Sequence, residues 1–387
     1  MLRNVIVVGG GIAGLAAATL LGRAGASVTL LERAPALREV GAGIQISPNG
    51  LAVLRAMGLE TPLQQSGAVQ AQAVCLCDYK RPGEVARLDL TRLGNNQKYY
   101  FVHRADVLTV LVNAARQAGV QIMTNAAVKA ISSGAPASVE LMDGSCLRAE
   151  LVVAADGVHS VGRSGLNPTS DPFFTGQVAW RAMVENTHDV PPEARVFMGP
   201  GRHIVSYPLR HGKLVNIVAV EERDTWVSEG WDHVGDADVL RARFADFEGP
   251  SAALLDAVGD VSVWGLHRHP IAKTWYNEGV VLVGDAAHPT LPFLAQGANM
   301  ALEDVWVLAQ CLKNKGLDGL QAYQNIRMAR VPRVLKVADG NARNYHLRPG
   351  PMRSVAHLGL KTLSKLAPGV MLGKFDWLYR HDVTASR

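Results

Sequence analysis

The sequence predicts an α/β fold in which a Rossmann-like domain is interrupted by a mostly antiparallel β-sheet domain and followed by C-terminal helices. The chain opens on a strand–helix–strand pattern, "NVIVVGGGIAGLAAATLLGRAGASVTLLER". Segments that alternate apolar and polar residues dominate from about 175 to 265, which favours an antiparallel sheet with one solvent face. A buried strand then returns in "GVVLVGDAAH". The first unit is therefore expected to be discontinuous in sequence.

In the first third of the chain, residues typical of caps and turns mark where each helix and strand begins and ends. Val5–Val8 and Val28–Leu31 are expected to be buried strands on either side of a helix over Ile12–Arg23. "SPNGLAVLRAMG" predicts a helix with Ser47 near its cap and Gly58 at its end. "AVCLCDY" and "EVARLDL" predict a strand pair with "KRPG" as the turn.

Later elements follow the same logic. "RADVLTVLVNAARQAG" predicts a helix closed by Gly119, and short strands lead to "AELVVAADG". "QVAWRAMV", "ARVFMG", "HIVSYPL", "LVNIVAV" and "VSVWGLH" predict the strands of the inserted sheet. Helices are expected from about 298 to 365.

Length, composition and charge restrict the classes of protein to which this sequence can belong. The 387 residues, 48% hydrophobic and 19% charged, are too many for one small core and argue against disorder. The net charge of +5 comes from scattered basic residues, which gives no pattern for nucleic-acid binding. Four cysteines without a C-x-x-C pair favour a reduced, cytoplasmic protein. No apolar run is long enough for a membrane span, and the basic, amphipathic "HLGLKTLSKLAPGVMLGKF" is expected to dock on the protein body.

The glycine loop after the first strand predicts a dinucleotide site. Gly9, Gly11 and Gly14 fit G-x-G-x-x-G, which serves a tight turn, a close approach of pyrophosphate and helix–strand packing. Glu32, at the end of the second strand and followed by Arg33, is placed to accept hydrogen bonds from a ribose diol. A carboxylate there disfavours NADP, but NAD and FAD both remain possible from this motif.

Three later motifs discriminate between these dinucleotides. "VVAADGVHSVGR" ends a strand in Asp156, "VVLVGDAAHPTLPFLAQGANMALED" ends another in Asp285, and "FVHRADVL" places Arg104 at a helix start. In content, order and spacing, this set resembles the single-component FAD-dependent aromatic hydroxylases, the family of 4-hydroxybenzoate, salicylate and 3-hydroxybenzoate hydroxylases. The resemblance covers roughly residues 3 to 345.

The resemblance implies a fold, cofactors and an activity. It implies a glutathione-reductase-type FAD-binding domain, with FAD held tightly and NADH or NADPH binding transiently. Asp156 is implicated in binding both FAD and NAD(P)H, Asp285 in binding the ribityl chain, and Arg104 in contacting FAD. The implied reaction uses NAD(P)H and dioxygen to hydroxylate a small aromatic acid, such as a hydroxybenzoate or hydroxypyridine carboxylate, through a flavin hydroperoxide. The protein is expected to be a monomer or a homodimer.

The expected domain boundaries follow from the change in pattern. The FAD-binding domain takes three segments, the substrate domain two, and a helical segment ends the chain: 1–70, 96–174 and 266–345; 71–95 and 175–265; and 346–387.

Candidate functional residues lie in two places. The backbone N–H groups of Gly297, Ala298 and Asn299, at a helix N-terminus, are expected to stabilise negative charge on the flavin. In "GRHIVSYPL", His203 and Tyr207 share one face of a strand, and His203 is a candidate base or substrate-orienting group.

Other assignments stay open at this point. Gln45 is a weaker pocket candidate, and Arg181 either binds a carboxylate or forms an ordinary ion pair. No metal site is expected, because the pair His267 and His269 has no further ligand nearby in sequence. Two other functions compete: oxidation of a larger polyketide or lipid-like substrate, and a flavin-binding redox sensor without turnover.

Overall fold

The computed structural model describes residues 2–37, 42–168, 171–225, 227 and 233–385. The helices are α1 (Ile12–Arg23), α2 (Pro48–Ala56), α3 (Glu60–Gln65), α4 (Arg104–Gln117), α5 (Val161–Leu166), α6 (Ala237–Arg243), α7 (Pro250–Asp256), α8 (Gly297–Lys315), α9 (Gly319–Met328), α10 (Val331–Tyr345), α11 (Pro351–Leu366), α12 (Pro368–Gly373) and α13 (Asp376–Tyr379). The strands are β1 (Asn4–Val8), β2 (Ser27–Leu31), β3 (Gly43–Ile46), β4 (Val69–Gln70), β5 (Ala73–Asp78), β6 (Glu84–Asp89), β7 (Tyr100–His103), β8 (Gln121–Met123), β9 (Val128–Ser132), β10 (Ala137–Leu141), β11 (Cys146–Ala149), β12 (Leu151–Ala154), β13 (Phe173–Glu185), β14 (Glu193–Gly199), β15 (Arg202–Leu209), β16 (Leu214–Glu222), β17 (Val234–Gly235), β18 (Val261–Arg268), β19 (Tyr276–Asn277) and β20 (Val280–Leu282).

The first sheet carries the predicted strand–helix–strand opening. Its order is β19-β20-β12-β1-β2-β8, and all neighbours are parallel except β19 against β20. The chain runs outward from β1 to β2 and β8 on one side, and then returns to β12 and β20 on the other. The strand order therefore switches between β1 and β12, and a crevice outside the carboxyl ends of such strands is where ligands bind in open α/β sheets.

The second sheet has the order β17-β18-β13-β16-β15-β14-β5-β6. Its pairs are antiparallel, as the alternating pattern predicts, except that β14 pairs with β5 in parallel. The hairpin β5–β6 reaches this sheet from an earlier part of the chain, which explains the change of direction. We propose that this sheet constitutes the substrate domain, although the exact boundaries given above stay predictions.

Helices α6 and α7 cover one face of the second sheet and were not expected from the sequence. Their apolar side chains, such as Leu240, Phe244 and Leu254, form a core with Trp180 and Ile217 of the sheet. The helices are short, so an apolar periodicity hardly develops within them. This layer leaves the opposite face of the sheet turned toward the first unit.

The C-terminal helices close the molecule, and the predicted fold class is confirmed. Helix α11 docks on the edge strand β6, where the backbone N–H of Arg87 donates to Ser364 Oγ at 2.9 Å. Leu360 and Leu363 point into the core, whereas Val355 and Leu358 are exposed. In the described part of the chain, none of the helices combines the length and apolar character needed to cross a membrane.

Candidate active site

The glycine loop lies at the switch point between β1 and β12. Gly9 has a φ of 103°, and a Cβ added to it would lie 2.4 Å from the carbonyl oxygen of Ala155, just after β12. A Cβ on Gly14 would lie 1.9 Å from the carbonyl oxygen of Gly9. A Cβ on Gly11 would meet nothing within 4 Å. The first and third glycines therefore serve packing within the protein, whereas Gly11 faces open space.

Glu32 shapes the rim of this loop. Its carboxylate accepts the backbone N–H of Gly10 at 2.7 Å and that of Ala34 at 2.9 Å, so it joins the glycine loop to the end of β2. Each carboxylate oxygen can accept further hydrogen bonds, so these contacts are compatible with a ribose diol as an additional partner. Arg33, beside it, is exposed.

Asp156 lies next to the glycine loop and caps a short helix. Its carboxylate accepts the Ser160 hydroxyl and, at 3.1 Å, the backbone N–H of Gly162 at the start of α5. Burial raises its pKa, and these hydrogen bonds oppose that shift. In this structure, the carboxylate positions the loop after β12 against Gly9.

The second aspartate loop follows β20. Gly284 has a φ of 60°, and a Cβ there would lie 3.2 Å from the Ala13 Cβ on α1 and 3.3 Å from the Ala301 Cβ on α8. Asp285 is therefore carried into the same crevice as the glycine loop. Its side chain remains open to the crevice but is closely surrounded by protein, so desolvation raises the pKa of its carboxyl group.

Arg104 comes to the same place from α4. Its backbone N–H donates to the carbonyl oxygen of Ala42 at 2.8 Å, which fixes the start of the helix. Electrostatic interactions with His288 and Arg104 lower the pKa of Asp285 and so oppose the desolvation. Arg104 and Asp285, 181 positions apart by their residue numbers, thus act on each other electrostatically.

A buried ion-pair network, made of Glu303, Asp304, Arg327 and Arg330, holds the second aspartate loop and α8 together. Asp304 Oδ2 accepts the backbone N–H of Gly284 at 2.9 Å and lies 2.6 Å from His288 Nε2. Arg327 bonds Asp304 Oδ1 and Glu303 Oε2, each at 2.6 Å. These three side chains have no accessible surface, and the arginines hold the pKa of Glu303 at about 2 despite the desolvation.

The start of α8 is tied to β3 by side-chain amides. Asn299 Oδ1 accepts the Ser47 backbone N–H at 3.0 Å, and its Nδ2 donates to the carbonyl oxygen of Gln45 at 2.9 Å. The turn before the helix includes Ala295 with a φ of 52°, which is left-handed backbone. The Gln296 side chain does not cap the helix. The first-turn N–H groups, at Gly297, Ala298 and Asn299, have no acceptor within the helix itself.

These groups fit a bound flavin dinucleotide. The open side of Gly11 suits a pyrophosphate, and Glu32 suits a ribose. Asp285 and Arg104 together suit the ribityl chain. The N-terminus of α8 would face the electron-poor ring system and would stabilise negative charge on it. FAD is long enough to need all four, and the structure brings all four to one crevice.

The face of the second sheet opposite α6 and α7 carries the candidate lining of a substrate cavity. Val205, Val218 and Arg181 are cross-strand neighbours in the middle of the sheet, yet all three are only half-buried. We call these three residues the cavity floor. Phe293 and Leu291, from the loop before α8, pack against Val218. The floor therefore faces the loop that leads into α8.

The predicted pocket residues lie at two ends of this floor. Tyr207 lies at one end of the floor, where its hydroxyl contacts the side chain of Gln45. The Oε1 atom of Gln45 accepts a hydrogen bond from the Tyr99 hydroxyl at 2.6 Å. Burial raises the pKa of Tyr207, while the nearby Arg181 lowers it. His203 shares the face with Tyr207, as predicted, but four residue steps along the strand separate their Cα atoms by about 13 Å. They therefore cannot act side by side on one small group.

His203 is buried among aromatic rings at its end of the cavity. Its ring centroid is 5.9 Å from that of Phe293 and 5.2 Å from that of Tyr345. Desolvation holds its pKa well below the usual value, and His346 adds to that shift. Burial therefore favours the neutral form of this imidazole.

Sequence reasoning missed the residues that support these groups. Glu303 and Asp304 end the motif "VVLVGDAAHPTLPFLAQGANMALED", but no role was predicted for them, although two adjacent acids inside an apolar helix are an unusual pattern that could have identified them. Arg327 carries no such signal. His346 lies where the sequence predicted only a helical tail. No spacing in the sequence connects it to His203.

The comparisons with known proteins agree with this geometry. The chain matches the model of the FAD binding domain family over residues 3–338. It is 35% identical over 362 residues to 3-amino-4-hydroxybenzoate 2-monooxygenase of Streptomyces cremeus, covering 90% of this chain and 89% of the relative. It is 32% identical over 395 residues to 3-hydroxybenzoate 6-hydroxylase 1 of Aquipseudomonas alcaligenes, covering 98% of each. Klebsiella pneumoniae HpxO complexed with FAD and uric acid has the same fold, with a TM-score of 0.85, 22% identity and coverage of 98% of this chain and 97% of that one.

The fold and the crevice thus define a flavoprotein whose cofactor is FAD. The chain belongs to the family of FAD-dependent aromatic hydroxylases and is an enzyme of this kind. The resemblance inferred from the sequence motifs is confirmed. The alternative of a redox sensor without turnover is accordingly disfavoured.

Proposed function

We propose that this enzyme uses NADH or NADPH and dioxygen to hydroxylate a small aromatic acid that carries a phenolic hydroxyl. The half-buried cavity floor beside the Phe293 loop is the observation that carries the proposal. It offers a ring-sized apolar surface, from Val205 and Val218, next to a cation, Arg181. The named relatives act on an aminohydroxybenzoate and a hydroxybenzoate.

Each end of the cavity suits one part of such a substrate. The guanidinium of Arg181 lies over the Trp264 ring at 5.0 Å from its centroid, and its positive charge is proposed to attract the substrate carboxylate. His203 lies at the other end and is proposed to accept the phenolic proton, because a phenolate is the more electron-rich ring. Tyr207 and Gln45 are proposed to orient the ring.

The chemistry that FAD supplies when bound is the transfer of one oxygen atom from dioxygen to the ring at the expense of the nicotinamide. We propose that Gly11, Glu32, Arg104, Asp285 and the first turn of α8 hold it. The protein's own part is to orient the substrate, to accept its proton and to exclude water. Phe293 and Leu291, both buried, are proposed to serve the last purpose.

A panel of aromatic acids tests the proposal. FAD-loaded enzyme is mixed with NADH or NADPH and with hydroxybenzoates, aminohydroxybenzoates and hydroxypyridine carboxylates, and both nicotinamide oxidation and product are measured. We expect at least one acid to accelerate oxidation and to give a hydroxylated product rather than hydrogen peroxide. Acceleration only by long polyketide or lipid-like compounds would support the competing substrate class instead.

Arg181→Met provides the matched variant for the carboxylate. We expect it to raise KM for the best acid by about 10- to 100-fold, because a charge-assisted hydrogen bond contributes roughly 1.5–3 kcal/mol. The same phenol without its carboxylate should be handled equally by both enzymes. An equal change for both compounds would assign Arg181 a structural role only.

A further inference from the structure

A chain of three hydrogen-bonded side chains runs from the cavity to the surface. His203 Nδ1 lies 2.7 Å from His346 Nε2, and His346 Nδ1 lies 2.9 Å from Glu222 Oε1. Along this chain the environment changes from buried to open: His203 is 2% accessible, His346 6%, and the Glu222 side chain 50%. The three groups come from β15, the loop after α10, and the end of β16.

We propose that His203, His346 and Glu222 form a proton relay that carries the phenolic proton of the substrate from the buried cavity to solvent. The inference rests on the proposed function, since it requires a substrate with an ionisable hydroxyl. It adds two residues, His346 and Glu222, that do not touch the substrate.

The carboxylate at the outer end determines the protonation state of both rings. Glu222 only accepts hydrogen bonds when ionised, so His346 must donate from Nδ1 and carry its lone pair on Nε2. His203 must then donate from Nδ1, which leaves its own Nε2 as the acceptor. The two imidazoles are thus oriented in series, with each proton pointing outward toward Glu222.

The backbone holds this orientation in place. Gly201, in the turn between β14 and β15, donates its N–H to the carbonyl oxygen of His346 at 3.3 Å. The backbone N–H of Glu222 donates to the carbonyl oxygen of the same Gly201 at 2.8 Å. One turn therefore positions both outer members of the chain relative to β15, which carries His203.

Burial argues against a purely structural pair of histidines. Both rings are desolvated, which lowers the pKa of each, with Glu222 opposing that shift for His346. An isolated imidazolium would be costly at the inner position, so His203 can accept a proton only if it releases one at the same time. The contact with His346 provides that release.

The other end of the cavity offers no comparable route in the described residues. Tyr207 and Tyr99 converge on Gln45, and burial raises the pKa of both phenols. Neither accepts and passes on a proton readily near neutral pH. The geometry therefore assigns proton release to the His203 end.

The step balances without any further reagent. The O–H bond of the substrate breaks and a bond from the proton to His203 Nε2 forms. The Nδ1 proton of His203 moves to His346 Nε2, and the Nδ1 proton of His346 moves to Glu222, which releases it to water. No electrons are transferred. The chain is reset when a proton from solvent returns through Glu222 and His346 and the Nε2 proton of His203 passes to the phenolate oxygen of the departing product.

Ionisation of a bound chromogenic phenol tests the relay without turnover. FAD-loaded enzyme is mixed rapidly with 4-hydroxy-3-nitrobenzoate in the absence of NADH, and the absorbance of the nitrophenolate is followed in water and in D2O. For Glu222→Gln we expect phenolate formation to slow at least about tenfold, as for loss of a general base. Its KM for the best substrate and its FAD content should match the wild type.

Two further variants distinguish a role in proton transfer from a purely structural role. His346→Gly should show the same slow ionisation, and added imidazole should restore the rate by replacing the missing ring. Glu185→Gln is the matched control, because Glu185 is an exposed acid at the end of β13 in the same sheet. It should behave as the wild type, including its solvent isotope effect.

The outcomes distinguish this inference from the proposed function. Wild-type ionisation rates in both Glu222→Gln and His346→Gly would overturn the relay while hydroxylation by the wild type stands. A loss that imidazole does not restore, with lower FAD content, would also overturn it and assign His346 to folding. If neither the probe nor any hydroxylated acid binds the wild type, the proposed function fails and the relay with it.

Discussion

At the scale of single residues, the three glycines of the first loop have separable tasks. A Cβ on Gly14 would collide with the Gly9 carbonyl oxygen at 1.9 Å, whereas one on Gly11 would meet no atom within 4 Å. Gly11 also has an ordinary φ of −76°, so an L side chain is not strained there. The loop therefore allows packing and cofactor binding to be tested at two positions in one turn.

We expect Gly14→Ala to destabilise the apoprotein by about 2 kcal/mol or more, because the added methyl group overpacks a rigid backbone contact. Gly11→Ala should leave the unfolding midpoint of the apoprotein within about 0.5 kcal/mol of wild type. It should nevertheless weaken FAD binding at least tenfold if the pyrophosphate lies over it. Urea unfolding and fluorescence titration with FAD measure the two effects. Unchanged FAD affinity in Gly11→Ala would place the pyrophosphate elsewhere.

For single residues, the sequence predicted where the site loops lie better than it predicted which side chains contact each other. The glycine and aspartate loops were located because each follows a buried strand, and parallel strands bring their carboxyl ends to one edge. The pairing of His203 with His346 could not be predicted. It depends on where the chain turns after α10, and the residues concerned are 143 apart by their residue numbers.

At the scale of elements, α8 serves both the cofactor crevice and the protein core. Its first turn faces the crevice, while Glu303 and Asp304 in its next turn bind Arg327 of α9 and the loop after β20. Asn49 of α2 donates to Glu303 Oε1 at 2.7 Å, so a third helix joins the same network. The position of the first turn of α8, which we propose faces the flavin, is thus fixed by buried ion pairs behind it.

The network predicts a specific acid sensitivity. The folded-state pKa of Glu303 is lowered from 4.5 to about 2, and that of Asp304 is lowered as well. The stability they contribute is therefore complete above about pH 4.5 and is lost as the pH falls toward 2. For Glu303 alone this amounts to roughly 3 kcal/mol. When urea unfolding is measured between pH 7 and pH 3, the midpoint urea concentration should stay constant down to about pH 4.5 and decrease at lower pH.

Glu303→Gln should remove part of that dependence and destabilise the protein at pH 7 by about 3 kcal/mol, since it leaves buried arginine charge unpaired. Glu140→Gln is the control. Glu140 pairs with Lys129 at the surface, and exposed pairs contribute little. If Glu303→Gln keeps the wild-type pH profile, another group is responsible for the acid transition.

Sequence patterns predicted long elements and missed short ones. The β-strands of the inserted sheet and helix α4 were predicted because their periodicity extends over several residues. Helices α6 and α7 span Ala237–Arg243 and Pro250–Asp256, about two turns each, so no apolar stripe emerges. Their end signals were present: the Asp236 side chain accepts the N–H of Asp238, and Pro250 occupies the first turn of α7.

At the scale of the whole molecule, Arg353 attaches α11 to the second sheet, in addition to the contact between Ser364 and β6 described above. Arg353 of α11 donates to Asp78 Oδ2 and to the carbonyl oxygen of Met198, each at 2.9 Å. Its guanidinium also lies 4.9 Å from the Tyr79 ring centroid. The two strands concerned, β5 and β14, are the parallel pair that joins the early hairpin to the sheet.

We expect Arg353→Ala to destabilise the protein by about 3 kcal/mol, because it leaves the nearly buried Asp78 carboxylate without its main partner. Detachment of α11 should also expose the chain around residues 345–350 to protease. Urea unfolding and limited proteolysis measure both. Arg380→Ala, which removes only an exposed pair with Asp376, should change neither. Equal protease sensitivity of the two variants would show that α11 is held by apolar contacts instead.

The position of His346 has a practical consequence for anyone who edits this chain. The family match ends at residue 338, so a designer who trims to that boundary would discard the imidazole at the inner end of the tail. Such a shortened chain would also lose Arg353 and the core residues of the last helices, so it would be destabilised as well as deprived of His346. Swapping tails between relatives would likewise exchange both the aromatic ring beside His203 and the imidazole behind it.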